Sequence, residues 1–124
     1  PRLSALDNVM MPLEILGAKD AKERALKALD EVGLSKRTGH VPHQLSGGEK
    51  QRVAIARAMV KAPSILFADE PTGNLDQSST DNILELLLGI NKQTKTTLVV
   101  VTHDQQLASR SDMVFELQEG KLKC

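Results

Sequence analysis

Two short, unbroken apolar runs, Ile65-Leu66-Phe67-Ala68 and Leu98-Val99-Val100-Val101, restrict the fold more than any other feature. A strand with one wet face alternates apolar and polar residues. A run without a polar break fits a strand buried on both faces of a parallel sheet. Between the runs, Ile83, Leu87 and Ile90 recur at helical spacing, and Asp76 stands where an N-cap is wanted. A short helix around Leu107 and Ala108 then leads to a third strand, Val114 to Leu117, and a turn at Gly120. Strands alternating with helices predict an α/β fold, a parallel sheet with right-handed crossover helices. Ligands of such sheets lie beyond the carboxyl ends of the strands. Asp69, Glu70 and His103 fall there.

The residues before Ile65 are helical in pattern. Up to about Gly17 the spacing predicts a loop and a short helix interrupted by Pro12. From Asp20 to Val32, Ala25, Leu29 and Val32 line one face. Gly33 follows as a left-handed cap, with Leu34 as its hydrophobic contact. Ser35 to Gln44 is a polar loop in which His40 and His43 take no chemical role. Ser46 and Glu49 have capping-box spacing and open another helix, whose stripe of Val53, Ala56 and Val60 runs to Pro63.

Composition removes several classes of function. Sixteen Lys plus Arg balance sixteen Asp plus Glu, so the chain lacks the clustered positive excess that binds nucleic-acid backbones. Aromatic residues are 2% of the 124, which removes the stacking platforms of single-strand binders. Cys124 is the only cysteine, so no disulfide framework exists and a reducing compartment fits. No apolar run approaches the ~18 residues of a membrane span, and Pro1-Arg2-Leu3-Ser4 does not open a signal peptide. The expectation is a soluble, cytosol-compatible chain with no nucleic-acid partner.

Three groups of residues carry possible chemistry. Asp69, at the tip of a buried strand, suits a Mg²⁺ ion that keeps most of its waters. The adjacent Glu70 can orient or deprotonate a water attacking a phosphate. As a pair they also serve simply as a charged strand end. Leu45-Ser46-Gly47-Gly48-Glu49 opens a helix whose first N–H groups lack intrahelical partners and carry about +0.5 charge. The glycines let a phosphate approach closely and the Ser46 hydroxyl adds a donor. Alternatively Ser46 is only an N-cap, and its capping and phosphate roles compete for one hydroxyl. His103 can hydrogen-bond a γ-phosphate, or be a polar strand terminus.

The order of these pieces points further. Leu45-Ser46-Gly47-Gly48-Glu49-Lys50-Gln51-Arg52-Val53-Ala54-Ile55-Ala56-Arg57-Ala58 closely resembles the signature motif of ATP-binding-cassette (ABC) ATPases. Leu66 to Thr72 is similar to that family's Walker B strand with its catalytic glutamate, Gly73-Asn74-Leu75-Asp76 to its D-loop, and Val101-Thr102-His103-Asp104 to its switch histidine. The wording from Phe67 to Asp76 looks most like the branch serving lipoprotein release and macrolide export. The resemblance runs from Pro1 to about Lys121.

The resemblance implies a P-loop NTPase-like parallel sheet plus part of the ABC helical subdomain, divided as residues 1–50 and 51–124. It implies an ATP-hydrolysing transporter subunit, peripheral on the inner face of the cell membrane through a transmembrane permease. Two nucleotide-binding domains would pair head to tail with ATP between them. Carried over, Glu70 and His103 would be catalytic and Asp69 would serve Mg²⁺. Ser46, Gly47, Gly48 and Glu49 would act on the ATP of the partner domain, and Asp76 would lie across the dimer contact.

One family motif is missing. A Walker A loop needs Gly-x-x-x-x-Gly-Lys-Ser/Thr, and the only Gly-Lys pair, Gly120-Lys121, lacks the upstream glycine and the following hydroxyl residue. Against the family pattern the chain begins just after the Gln loop, so as given it is expected to be inactive alone. Two other classes fit parts of the pattern. One is a soluble ABC-type ATPase of DNA maintenance or translation, although no long coiled coil precedes the signature. The other is a non-catalytic signature and dimerisation module.

Overall fold

The computed structural model describes residues 3–123. Cys124, and the reading made of it, lie outside them. In chain order the elements are α1 (Ala5–Ile15), α2 (Ala21–Glu31), a single 3₁₀ turn (Pro42–Gln44) within the expected loop, α3 (Gly47–Met59), β1 (Ile65–Asp69), α4 (Gln77–Thr94), β2 (Thr97–Val101), α5 (Gln105–Ser109), β3 (Glu116–Gln118) and β4 (Lys121–Lys123). No helix among the described residues is long and apolar enough to cross a membrane.

The first three helices pack on one another. α1 is one continuous helix, not the loop and interrupted helix expected from Pro12. Ser4 caps it by accepting the Asp7 N–H, while the Asp7 side chain accepts the Ser4 N–H. Its inner face, Ala5, Val9 and Leu13, is buried. Burying Val9 and Leu13 contributes about 1.5–3 kcal/mol each, which offsets the about 3 kcal/mol that an interior proline costs. The start of α1 is also held from a distance, because the Ala5 and Leu6 amides donate to the carbonyls of His40 and Thr38.

α2 ends as its sequence predicts. Gly33 has φ +77°, the Leu34 N–H donates to the Leu29 carbonyl at 2.8 Å and the Gly33 N–H to the Asp30 carbonyl at 2.9 Å. This is a Schellman motif, with Leu34 buried as its apolar contact. The guanidinium of Arg24 donates to the Val60 carbonyl, tying α2 to the end of α3.

β1 and β2 pair in parallel with α4 between them in sequence, in the register Ile65↔Thr97 to Asp69↔Val101. α4 buries Ile83, Leu84 and Leu87. The strands are not buried on both faces as their apolar runs suggested. Leu66 is buried and Leu98 packs against the core. Ile65, Phe67, Val99 and Val101, on the opposite face, are exposed, Phe67 by 74%. Among the described residues nothing covers that face. The third strand also departs from expectation. It begins at Glu116 and forms an antiparallel hairpin with β4 instead of extending the parallel sheet. Gly120, at φ +78°, makes the turn. Val114 and Phe115, the first half of the expected strand, are non-strand.

Candidate functional site

The register puts the tips of β1 and β2 level, Asp69 beside Val101. One residue on, the Glu70 N–H donates to the Val101 carbonyl at 2.7 Å, clasping the two ends together. Glu70 adopts φ +49°, a left-handed conformation uncommon for a residue with a side chain. A tight turn follows, in which the Gly73 N–H donates to the Glu70 carbonyl at 3.1 Å. A Cβ on Gly73 would lie 3.3 Å from that carbonyl. From the other strand, the Thr102 hydroxyl accepts the Asp104 N–H and the Asp104 carboxylate caps α5 through the Gln106 N–H.

This arrangement brings Glu70 and His103 together, with Glu70 Oε1 3.4 Å from His103 Nε2. The His103 side chain is 99% exposed, so solvent screens the pair and it adds little stability. Its use is positional, since the two groups converge on the space beyond the strand tips. Asp69 is exposed at the same tip. Among the described residues no group of three or more His, Cys, Asp and Glu gathers there. The Asp69 carboxylate, open to water, suits Mg²⁺, which retains its waters, and does not suit a metal that needs an all-protein cage.

The second group lies at the start of α3. The Ser46 hydroxyl oxygen accepts the Glu49 N–H at 3.1 Å and Glu49 Oε1 accepts the Ser46 N–H at 2.9 Å. Capping and phosphate binding therefore do not compete as the sequence suggested. Capping uses a lone pair of the hydroxyl and leaves its hydrogen free to donate. A Cβ on Gly47 would meet Leu75 at 3.2 Å, and one on Gly48 would meet the Ser79 hydroxyl at 3.0 Å. Ser46 and Gly47 are exposed, whereas Gly48 is buried. The smallness of Gly48 thus serves packing against α4. Asp76 caps α4, accepting the Ser79 N–H at 2.7 Å. The starts of α3 and α4 consequently lie side by side, and one short turn links Asp76 to Glu70.

Both capping carboxylates are held below their ordinary pKa range. For Glu49 the main cause is the Ser46 N–H, opposed by desolvation and helped by Arg37. For Asp76 it is the Ser79 backbone N–H, followed by the Ser79 hydroxyl. A depressed folded pKa stabilises the fold above the unfolded value, and that stabilisation is lost as pH falls through the folded pKa. The Ser46 and Ser79 amides are therefore expected to stay protected from exchange at neutral pH. They should lose protection only below the usual carboxylate range, ~4. Protection lost between pH 6 and 7 would contradict the assignment.

Every residue singled out from the sequence thus falls in one of two places. Glu70 and His103 meet beyond the strand tips, with Asp69 at the end of β1 next to Glu70 in sequence, and Ser46, Gly47, Gly48, Glu49 and Asp76 lie at the adjoining helix starts. Sequence reasoning missed two neighbours. Arg37 lies 3.4 Å from Glu49 Oε2, and Ser79 packs on Gly48. Neither contact has a local spacing that would reveal it.

Residues 1–73 match the family described as ABC transporter. The chain belongs to that family. Among curated relatives it is 54% identical over 124 residues to the lipoprotein-releasing system ATP-binding protein LolD of Legionella pneumophila (strain Paris), covering 98% of this chain and 55% of that protein. It is 51% identical to the LolD of Hydrogenovibrio crunogenus, covering 97% of this chain and 53% of that protein. The chain therefore spans about half the length of the relatives it matches. A dimeric, post-hydrolysis structure of an ATP-binding cassette bound to ADP and Pi superposes with a TM-score of 0.83 at 39% identity, over 98% of this chain and 55% of that one. An inward-facing putative metal-chelate type ABC transporter gives a TM-score of 0.90 at 28% identity, over 97% and 51%. These neighbours share the P-loop NTPase-like α/β fold, in agreement with the parallel β1–β2 pair.

Proposed function

We propose that this chain is the signature and Walker B portion of the ATP-hydrolysing subunit of an ABC transporter of the lipoprotein-releasing kind. The approach of Glu70 to His103 beyond the two strand tips, beside a capped helix start with a free hydroxyl donor, carries this reading. Glu70 takes the proton of a water that adds to the γ-phosphorus, while the bond to the bridging oxygen breaks to give ADP and phosphate. His103 donates a hydrogen bond to the γ-phosphate. Asp69 would hold the waters of Mg²⁺, which supplies charge neutralisation on the phosphates when bound.

The α3 start works on a second cassette. Ser46 and the amides of Gly47 and Gly48 receive the γ-phosphate of ATP held by the partner domain, and Asp76 lies at that contact. Residues 1–50 belong to the helical subdomain that faces a transmembrane permease, and residues 51–124 to the ATPase core. The subunit then sits on the cytoplasmic face of the membrane through the permease.

Ser46→Arg tests the reading in a cassette of full relative length, made by joining this chain to the amino-terminal half of a LolD relative. Bulk at the α3 start should abolish ATP-driven dimerisation and cut hydrolysis, while monomer affinity for ATP changes less than about threefold. If monomer affinity falls as far as activity, the α3 start acts within its own cassette and the proposal of action on the partner fails.

A further inference from the structure

The α3 start contains an electrostatic conflict. Its unpaired N–H groups and dipole favour an anion, yet Glu49, one turn in, places a carboxylate beside them. Glu49 Oε1 is committed to the Ser46 N–H at 2.9 Å, which keeps the negative charge close to Ser46. The Glu49 side chain is 19% exposed, so its charge is partly withdrawn from water. A phosphate arriving at Ser46 meets this charge unless another group neutralises it.

Arg37 is placed to do so, with Arg52 as a weaker second positive charge on the same carboxylate. The Arg37 Nε lies 3.4 Å from Glu49 Oε2, the oxygen not used by the cap. The Arg37 backbone is anchored on both sides, its N–H donating to the Leu34 carbonyl and its carbonyl accepting the His40 N–H. Leu34 is itself fixed by the Schellman motif of α2. His40 Nε2 lies 3.3 Å from Arg37 Nη1, and the neighbouring carbonyls of Thr38 and His40 hold the start of α1. These contacts hold the Arg37 backbone in place, and its side chain reaches one carboxylate oxygen.

We propose that Arg37 is a positioning residue for the phosphate-receiving end of α3, acting through Glu49. It offsets part of the Glu49 charge and leaves Oε1 on the Ser46 N–H, so the helix start keeps both its cap and its positive potential. The inference rests on the function proposed above and adds a residue outside the motifs. Arg37 touches no phosphate. It sets the field and the geometry in which Ser46 and Gly47 meet one.

A charge cycle tests it in the same joined cassette. ATP-driven dimerisation is followed by light scattering, and Glu49 titration by carboxyl NMR in the 124-residue chain. Arg37→Ala should raise the ATP concentration for half-dimerisation about 3- to 10-fold, the scale of one charge at a helix end, and should move the Glu49 titration upward. Arg37→Ala combined with Glu49→Gln should return dimerisation to within about twofold of the parent, because Gln keeps the cap without the charge. Arg37→Lys should fall between.

If the double variant is as impaired as Arg37→Ala, Arg37 only braces the loop and the proposal is wrong. It is equally overturned if Arg37→Ala leaves dimerisation unchanged while Ser46→Arg abolishes it. If Ser46→Arg is itself without effect, the functional reading falls first.

Discussion

Glu70→Gln is expected to slow ATP hydrolysis by the joined cassette ~10²–10⁴-fold, the usual contribution of a positioned general base. ATP binding and ATP-driven dimerisation should persist. The amide nearly matches the carboxylate in shape, so the left-handed turn at Glu70 and its N–H bond to the Val101 carbonyl survive the change. What is lost is a proton acceptor 3.4 Å from His103. Steady-state hydrolysis beside light scattering separates the two effects. A variant hydrolysing at near the parent rate would remove Glu70 from the reaction, and one that no longer dimerises would make its role structural.

The 124-residue chain by itself should self-associate, with a second copy meeting the open face of β1 and β2. Ile65, Phe67, Val99 and Val101 are exposed there, and Met113, Val114, Phe115, Leu117 and Leu122 are exposed in and before the β3–β4 hairpin. Large apolar side chains left open to water in this number favour burial against a second copy. Each strand of the parallel pair also has only one neighbour among the described residues, so unpaired backbone edges add to the tendency. Light scattering on the unaltered chain should give a mass of two copies or more. Phe67→Glu, on the exposed face, should shift the mass toward one copy while leaving the core intact. A parent chain that stays monomeric at about 100 µM, above the micromolar range of ordinary association, would end this expectation.

How legible the fold was depended on the range of the interactions involved. Gly33 with Leu34, Ser46 with Glu49, and Asp76 as a cap were readable because each effect acts within a few residues. The tips of β1 and β2 were readable because apolar runs end abruptly at charged residues. Pro12 misled because its local cost is offset by the burial of Val9 and Leu13 against other helices, which spacing alone does not weigh. The open sheet face misled for the converse reason. An apolar run records that a strand can be covered on both sides and says nothing of which polypeptide covers it.

At the candidate site the residue types were legible and their division of labour was not. The missing side chain of Gly48 reads as room for a phosphate until Ser79, from another helix, is found against that space. Arg37 carries no signature at all, because its partner lies beyond a loop, and only the folding of that loop onto α3 gives it meaning.

The left-handed backbone at Glu70 has an evolutionary consequence. Holding a residue with a side chain at φ +49° costs on the order of 1 kcal/mol or more, and Gly or Asn would occupy that conformation with less strain. Selection for folding stability alone would drift this position toward those residues. A glutamate at this position is one that stability does not choose, so among sequences built on this turn, replacement of the carboxylate by Gly or Asn would mark a lineage released from the demand for hydrolysis.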